Sequence, residues 1–396
     1  MLSFPPKLLE PNATLVVPLL LLLCTYVVVL RPLYNIFFHP LRRYPGPKLW
    51  AASTWPWAIM FLSGKSHLVL PQLHESLGGH LWTRADWQKA GKSEGTMDVP
   101  NLAGRTILIT GANTGLGRQT ALELAKHHPA ELWLTARDEA KAKEVVAAVQ
   151  KELDGQGTVN VLPLDLTSFA SVQQAAATFL SKTSRLDILY LNAGILGAPA
   201  GLTKDGYEIH IGVNHLGHAL LLHLLTPRLI ETASSQGSPP RVVSVASIGY
   251  KHCGENGIAL STLRDLDAGL TPVQRYTQSK LANVLYAQEV GRRFPQFTTV
   301  SIDPGSVATE LFSREPGDAQ VKHLQENVAP KSTKPVQEGV KNHLWAGTVS
   351  AEKLVSGKYY EPVGKSGTET GAAKSEEKAK ELWDWTQELI NSVLKA

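Results

Sequence analysis

A glycine-rich turn between a strand-like segment and a helix-like segment places the strongest constraint on this chain. Residues 106–110 read TILIT, a β-branched run typical of a buried parallel strand. The chain continues through TGANTGLG into a helical pattern over 118–128. In such a turn Gly111 permits the tight bend, Gly115 lets the backbone approach a pyrophosphate, and Gly117 allows close helix–strand packing. The backbone N–H groups that open a helix favour an anion. The pattern therefore predicts a dinucleotide site rather than a plain turn.

The segments that follow alternate between strand and helix patterns. Further strands are predicted at 131–135, 159–163, 187–191, 241–245, 298–302 and 358–360. Further helices are predicted at 139–153 and 168–180, with a serine-capped amphipathic helix over 375–394. This alternation predicts fold class α/β, a doubly wound parallel sheet.

The first hundred residues differ from the rest in composition. Residues 13–30 read ATLVVPLLLLLCTYVVVL, an uncharged run of 18 residues, which is close to the length that a membrane-spanning helix needs. The run does not end in the small residues of a signal-peptide cleavage site, so a retained single-pass anchor is favoured. We therefore expect a membrane anchor and proline hinge over 1–50, a linker over 51–98 and a folded domain over 99–396.

The excess positive charge lies beside this predicted transmembrane helix. The formal net charge is +4, and residues 1–50 account for all of it. Four basic residues follow the span: Arg31, Arg42, Arg43 and Lys48. The positive-inside rule then predicts that the folded domain faces the cytosol. The membrane expected is that of the endoplasmic reticulum. Because that domain carries no basic block and the chain no Cys/His cluster with zinc-ligand spacing, neither a nucleic-acid partner nor a metal centre is expected.

Six motifs occur in the order found in one enzyme family. They are the glycine turn, Asn192-Ala193-Gly194, Val213-Asn214-His215, Ser247 after the fifth strand, Tyr276-x-x-x-Lys280, and PGSVAT at 304–309. The glycine spacing G-x-x-x-G-x-G and this order resemble the short-chain dehydrogenases/reductases. The C-terminal part is most similar to the retinol-dehydrogenase-like branch. The resemblance covers roughly residues 102–395 and implies a Rossmann-fold oxidoreductase.

The resemblance also implies roles for individual residues. Tyr276 would exchange a proton with the substrate, Ser247 would hydrogen-bond the substrate oxygen, and Asn214 would hold a water in the proton relay. Lys280 would hydrogen-bond the nicotinamide ribose. A tyrosine pKa is ordinarily about 10, and an ammonium one helical turn away favours the phenolate, so the i,i+4 spacing predicts an acidified phenol. Taken singly, each residue is better explained as an ordinary helix or turn residue; the four in this order favour the catalytic interpretation. The residues expected to bind the cofactor are Gly111, Asn113, Gly115, Leu116, Gly117, Arg118, Arg137, Asp165, Asn192, Tyr276, Lys280, Val307 and Thr309.

Two arginines lie where the cofactor's adenosine ribose is expected. NAD sites usually have an acidic residue about 20 positions beyond the glycine motif, to bind the ribose 2′-hydroxyl. That position is Arg137 here, and Arg118 directly follows the last glycine. Two guanidinium groups suit a 2′-phosphate, which predicts NADP(H) as the cofactor. Asp138 is the competing residue that would favour NAD. The family resemblance places Asp165 against the adenine.

A second resemblance concerns residues 32–79. They are similar to the N-terminal region of fungal microsomal haem-thiolate monooxygenases, including a Pro45-Gly46-Pro47 hinge. Those enzymes need a cysteine thiolate as haem ligand. Cys253 lacks the surroundings of that family's haem loop, so this resemblance implies an anchor and hinge without haem chemistry. Two origins stay open: a true fusion, or a mis-joined exon with a native start near residue 99.

These patterns predict a membrane-anchored, NADP(H)-dependent oxidoreductase that transfers hydride to or from a carbonyl or alcohol of a lipophilic small molecule. A role in secondary metabolism is suggested only by analogy. We also expect a homodimer. The alternative is a catalytically silent nucleotide-binding scaffold at the membrane. Residues 248–275 are interpreted either as an insertion beside the substrate cleft or as a surface excursion.

Overall fold

Parallel strands form the centre of the fold. The computed structural model describes residues 99–137, 139–235, 238–312 and 315–395. In this part of the chain the strands pair, all in parallel, in the order β3-β2-β1-β4-β5-β6-β7. Their bounds are β1 Thr106–Ile109, β2 Glu131–Ala136, β3 Thr158–Pro163, β4 Ile188–Leu191, β5 Arg241–Val245, β6 Thr298–Ile302 and β7 Tyr359–Tyr360. The predicted doubly wound parallel sheet is confirmed, and every predicted strand occurs with its ends displaced by at most one residue.

Helices connect the strands and cover both faces of the sheet. The longer helices are α1 Gly115–Ala125, α2 Glu139–Glu152, α3 Phe169–Lys182, α4 Gly217–Ser234, α5 Pro272–Arg293, α6 Lys341–Thr348 and α7 Glu376–Lys395. Shorter helical segments are Ile209–Ile211, Gly212–Leu216, Ile248–Cys253, Leu260–Thr262, Glu310–Phe312, Ala319–His323, Leu324–Val328, Ala329–Ser332, Val336–Gly339, Ala351–Lys353 and Gly371–Lys374. Helix α1 begins three residues before the predicted start, because the end of the glycine turn is itself the first helical turn.

Two apolar clusters hold these layers together, one on each face of the sheet. Leu108 and Leu189 point into a cluster with residues of α3, α4, α5 and α7. Ile107 and Ile109 point to the other face, where they pack with α1, α2 and α6. This alternation along β1 is the two-residue period of a strand buried on both sides.

The order of the strands places a crevice at the carboxyl end of the sheet. Strands β1 and β4 are neighbours, although β4 follows β3 in the chain. The connections from these two strands therefore lead to opposite sides, which opens a crevice between them where ligands bind in such folds.

The expected anchor, hinge and linker lie outside the described residues. Across the described ranges, no helix combines the length and the apolar character that a bilayer crossing requires.

Candidate active site

A cavity of about 800 Å³ opens at the carboxyl ends of the strands. Its wall includes residues from the loops after β1 to β6 and from the first turns of α5. The predicted site residues that line it are Gly111, Asn113, Gly115, Leu116, Arg137, Asp165, Asn192, Ser247, Tyr276, Lys280, Val307 and Thr309. One cavity therefore brings together most of the residues that the motifs suggested.

The glycine turn has the backbone shape that a pyrophosphate needs. Gly111 has φ +65°, and a Cβ there would lie 2.9 Å from the Ala193 Cβ. Gly117 does not line the cavity, but a Cβ there would lie only 2.4 Å from the Gly111 carbonyl oxygen. Thr114, the N-cap of α1, makes no side-chain capping bond, so its hydroxyl does not occupy the N–H groups of the first turn. Since glycine is required twice and the helix terminus faces the crevice, the turn fits a dinucleotide.

Asn192 holds this turn against the neighbouring strand. Its Nδ2 donates to the Thr110 carbonyl oxygen at 2.8 Å, and its Oδ1 lies 3.2 Å from the His343 Nε2. The backbone N–H groups of Asn192 and Ala193 donate to the Thr110 hydroxyl, at 2.8 and 3.0 Å. The asparagine side chain is thus engaged in supporting the sheet, while part of the residue faces the cavity.

Ser247, Tyr276 and Lys280 meet on the opposite wall. Ser247 follows β5, and the other two lie one turn apart on α5, whose capping box at Thr271 fixes where the helix begins. The side chains of Tyr276 and Ser247 are neighbours, since a Cβ on Gly249 would lie 3.5 Å from the Tyr276 Cε1 and 3.2 Å from the Ser247 Oγ. The Lys280 Nζ donates to the Val245 carbonyl oxygen at 2.7 Å and lies 5.8 Å from the centre of the Tyr276 ring. The tyrosine and the lysine are 8% and 4% exposed, so their charged forms are poorly hydrated.

Burial controls the protonation of this group. It raises the pKa of Tyr276 to about 12; the Ser247 hydrogen bond opposes the rise, and the Asp303 carboxylate adds to it. Burial also lowers the pKa of Lys280 to about 8, against the attraction of Asp303. The expectation that Lys280 acidifies the phenol is therefore not met by these side chains alone. The reason is that desolvation of the phenolate outweighs an ammonium that is hydrogen-bonded elsewhere.

Asn214 lies beneath the cavity rather than in its wall. It is fully buried on the π-helical turn Gly212–Leu216. Its Oδ1 accepts from the Ile195 N–H at 2.8 Å, and its Nδ2 donates to the Ile195 carbonyl oxygen and the Ser279 hydroxyl, at 3.0 and 2.9 Å. The side-chain amide is therefore engaged within the protein, and the backbone carbonyl is the other group of Asn214 that could take part in a relay.

The residues expected to select the cofactor are separated. Arg137 is exposed and lines the cavity after β2, whereas Arg118 is not among the lining residues. Asp138, the competitor, lies outside the described residues. Asp165 lines the cavity, but its carboxylate accepts from Thr167 and from the Lys204 ammonium at 3.0 Å. Burial raises the pKa of Asp165, and these hydrogen bonds more than offset it, so the pKa lies below its usual range.

Asp303 is a cavity residue that the motifs did not single out. It is 3% exposed after β6, and its Oδ1 accepts from the Ile248 N–H at 3.1 Å. Burial raises the pKa of this carboxyl above its usual range. An available signal was its position directly before Pro304-Gly305 at the end of a predicted strand.

One part of the cavity wall, here called the apolar end, carries many aliphatic side chains. The aliphatic side chains there come from the loops after β4 and β6 and from the beginning of α5: Leu196, Ala198, Ile209, Val213, Val273, Leu311 and Leu324. Ile248, Gly249 and His252 also line it, so the beginning of the 248–275 segment borders the cavity. The segment is thus in part an insertion beside the cleft.

Comparison with known proteins identifies the family. Residues 105–261 match the family model described as short chain dehydrogenase. An uncharacterized oxidoreductase of Schizosaccharomyces pombe is 35% identical over 302 residues, which is 75% of this chain and 88% of the relative. Retinol dehydrogenase 11 of Homo sapiens is 32% identical over 338 residues, 85% of this chain and 96% of the relative.

A solved structure supports the same assignment. The crystal structure of an uncharacterized protein from Mycobacterium paratuberculosis matches with a TM-score of 0.57 and 30% identity, covering 74% of this chain and 96% of that one. The chain belongs to the short-chain dehydrogenase/reductase family. It is an oxidoreductase of a family that uses a nicotinamide cofactor, and retinol dehydrogenases are among its relatives.

Proposed function

We propose that this protein is an NADP(H)-dependent oxidoreductase that acts on a carbonyl or alcohol of a lipophilic small molecule. One observation carries the proposal. Tyr276, with Ser247 beside it, lines the same cavity as a glycine turn shaped for a pyrophosphate. A proton donor and a dinucleotide cradle in one cavity are what carbonyl reduction requires.

The chain offers distinct groups for each part of the cofactor. The turn containing Gly111, Gly115 and Gly117 would hold the pyrophosphate, with Asn113 and Leu116 beside it. Arg137, with Arg118, would bind the 2′-phosphate, and Asp165 and Asn192 would border the adenosine. Val307 and Thr309 would contact the nicotinamide end, where Lys280 would hold the ribose. A bound nicotinamide dinucleotide supplies or accepts the hydride.

The protein side chains manage the proton. Because burial keeps the pKa of Tyr276 at about 12, the phenol is protonated at neutral pH and can donate to the oxygen of a carbonyl. Ser247 would hydrogen-bond the same oxygen as charge develops on it. Lys280, charged below about pH 8, would supply the proton that restores the phenol, through a water that the Asn214 carbonyl would hold by accepting a hydrogen bond from it. A protonated phenol is the form that carbonyl reduction uses, and reduction is the direction proposed here.

The substrate class follows from the other end of the cavity. Aliphatic side chains dominate its wall, and burying apolar surface there favours a lipophilic molecule. A membrane anchor over residues 13–30 would hold the cavity near molecules dissolved in the bilayer, on the cytosolic face of the endoplasmic reticulum.

Turnover assays test this proposal. Full-length protein in detergent is given NADPH or NADH with matched ketones and aldehydes of increasing chain length. We expect oxidation of NADPH in preference to NADH and a KM that falls as the chain lengthens. Failure to oxidise either cofactor across the panel would contradict the proposal. If the assay succeeds, metabolite profiling after disruption of the gene identifies the substrate. It shows which carbonyl compound accumulates and whether that compound belongs to secondary metabolism.

A further inference from the structure

A buried histidine connects the two halves of the site. His218 lies on α4, one turn after Asn214, and is 3% exposed. Its Nε2 lies 2.9 Å from the Thr110 hydroxyl, at the start of the glycine turn. Its Nδ1 lies 3.2 Å from the Asn214 carbonyl oxygen. No sequence motif pointed to this residue.

The contacts of Thr110 determine which nitrogen carries the proton. A hydroxyl has one proton to donate and two lone pairs to accept. Both lone pairs of the Thr110 hydroxyl are used, by the backbone N–H groups of Asn192 and Ala193. The hydroxyl must therefore donate, and the His218 Nε2 is nearer than the Tyr190 carbonyl oxygen, which lies at 3.2 Å and already accepts from the Thr110 N–H. The His218 Nε2 is thus an acceptor.

The other side of the ring follows from this assignment. With Nε2 unprotonated, a neutral imidazole carries its proton on Nδ1, which donates to the Asn214 carbonyl oxygen. The opposite tautomer would place two lone pairs against each other at 3.2 Å. A doubly protonated ring is disfavoured as well, because burial lowers the pKa of His218 to about 4; the Asn214 hydrogen bond opposes this fall, and Lys280 adds to it.

The Asn214 carbonyl matters because it is the group of that residue which remains for a relay. Asn214 and Lys280 are also close to one another. A Cβ on Gly194 would lie 3.1 Å from the Asn214 Oδ1 and 3.5 Å from the Lys280 Nζ. The Asn214 side chain therefore lies near the lysine, and a displacement of residue Asn214 as a whole would alter the surroundings of Lys280.

We propose that His218, as the neutral Nδ1–H tautomer, is a positioning residue that ties the nucleotide-binding turn to the Asn214 carbonyl. The hydrogen bonds run in one direction, from the backbone N–H groups of Asn192 and Ala193, through the Thr110 hydroxyl and the imidazole, to Asn214. The catalytic consequence rests on the function proposed above; the tautomer does not.

The tautomer is tested without any activity. In full-length protein labelled with ¹⁵N-histidine, two-bond ¹H–¹⁵N couplings distinguish Nδ1–H from Nε2–H rings, and the His218 signals are those lost in His218→Phe. We expect an Nδ1–H ring from pH 6 to pH 8. An Nε2–H ring, or a ring that titrates in this interval, would overturn the proposal.

Kinetics test the positioning role. His215 is the matched control, since it is similarly buried on the π-helical turn just before α4 but pairs with Thr386 on α7. We expect His218→Phe to lower kcat at least about tenfold, the worth of a lost buried hydrogen bond, with little change in the substrate KM. His215→Phe should stay within about threefold of wild type in kcat.

If His218→Phe fails to fold, two smaller substitutions test the two hydrogen bonds of His218 separately. His218→Asn can retain the donor toward Asn214, and His218→Gln can retain the acceptor for Thr110. We expect kcat of His218→Asn to exceed that of His218→Gln. Equal losses in His218→Phe and His215→Phe, or no advantage of the asparagine, would overturn the positioning role. An inactive wild type would instead refute the proposed function and leave the tautomer measurement readable.

Discussion

The two ends of the cavity differ in whether backbone or side-chain atoms form the wall. The nucleotide end consists largely of backbone at the ends of strands, where Gly111 and Gly117 leave no room for a side chain. The apolar end consists of side chains from loops and from α5, such as Leu196, Val273 and Leu324. Cofactor binding therefore depends on the backbone shape of the glycine turn, which few substitutions leave intact. Substrate choice depends on individual side chains, each of which can be replaced without disturbing the others.

The largest effect is expected from a methyl group at the nucleotide end. In Gly117→Ala the new Cβ would lie 2.4 Å from the Gly111 carbonyl oxygen and 2.6 Å from the Asn192 Nδ2, so α1 or the turn must move. We expect the dissociation constant for NADPH, measured by fluorescence titration, to rise about 100-fold. The control is Gly201→Ala, where a Cβ would meet only the Pro199 carbonyl oxygen at 3.8 Å. Equal affinities in the two variants would refute the shape argument.

A charge substitution at the nucleotide end tests the selection between NADPH and NADH. Arg137→Gln removes the guanidinium that lines the cavity after β2. We expect kcat/KM for NADPH to fall about tenfold and that for NADH to change little, because only the 2′-phosphate loses a charged partner. Arg118→Gln, at a position outside the cavity wall, should have the smaller effect. A parallel loss for both cofactors would contradict NADP(H) selection by Arg137.

The pH dependence reports the catalytic group between the two ends. The pKa of Lys280 is about 8, below its ordinary value, so its charge is present below pH 8 and is lost above it. Tyr276, with a pKa of about 12, stays protonated throughout. We expect kcat/KM for reduction to be level below pH 8 and to fall about tenfold per unit well above it.

Lys280→Arg provides the control for that profile. An arginine stays charged across the whole range, so the alkaline fall should disappear even where the rate itself is lower. The same fall in Lys280→Arg would show that another group causes it.

The smallest effect is expected at the apolar end. Val273→Ala removes two methyl groups from the cavity wall, a loss of about 1 kcal/mol of apolar contact. We expect kcat/KM for a long-chain substrate to fall about fivefold while NADPH affinity stays unchanged. The comparison would fail if this variant weakened NADPH binding as strongly as Gly117→Ala.

The same difference explains how much the sequence could predict. The strands and the glycine turn were predictable because β-branched runs and glycine spacing act locally, and Ser247, Tyr276 and Lys280 carry motifs of their own. His218 could not be found in that way, and for Asp303 the sequence offered only its position before Pro304-Gly305. Their contacts, with Thr110 and Ile248, join segments 108 and 55 residues apart. Nor could the pKa of Tyr276 be predicted, since the i,i+4 spacing shows the lysine but not the burial that outweighs it.

The most direct measurement compares two buried tyrosines on one helix. Tyr276 lines the cavity, whereas the Tyr286 hydroxyl accepts from the Gln387 Nε2 at 3.0 Å. Tyr276→Phe should lower kcat for carbonyl reduction by about 1,000-fold, the range of a lost general acid, while NADPH binds as in wild type. Tyr286→Phe should leave kcat within about threefold. If Tyr276→Phe turned over as fast as Tyr286→Phe, the claim that this phenol delivers the proton would be contradicted.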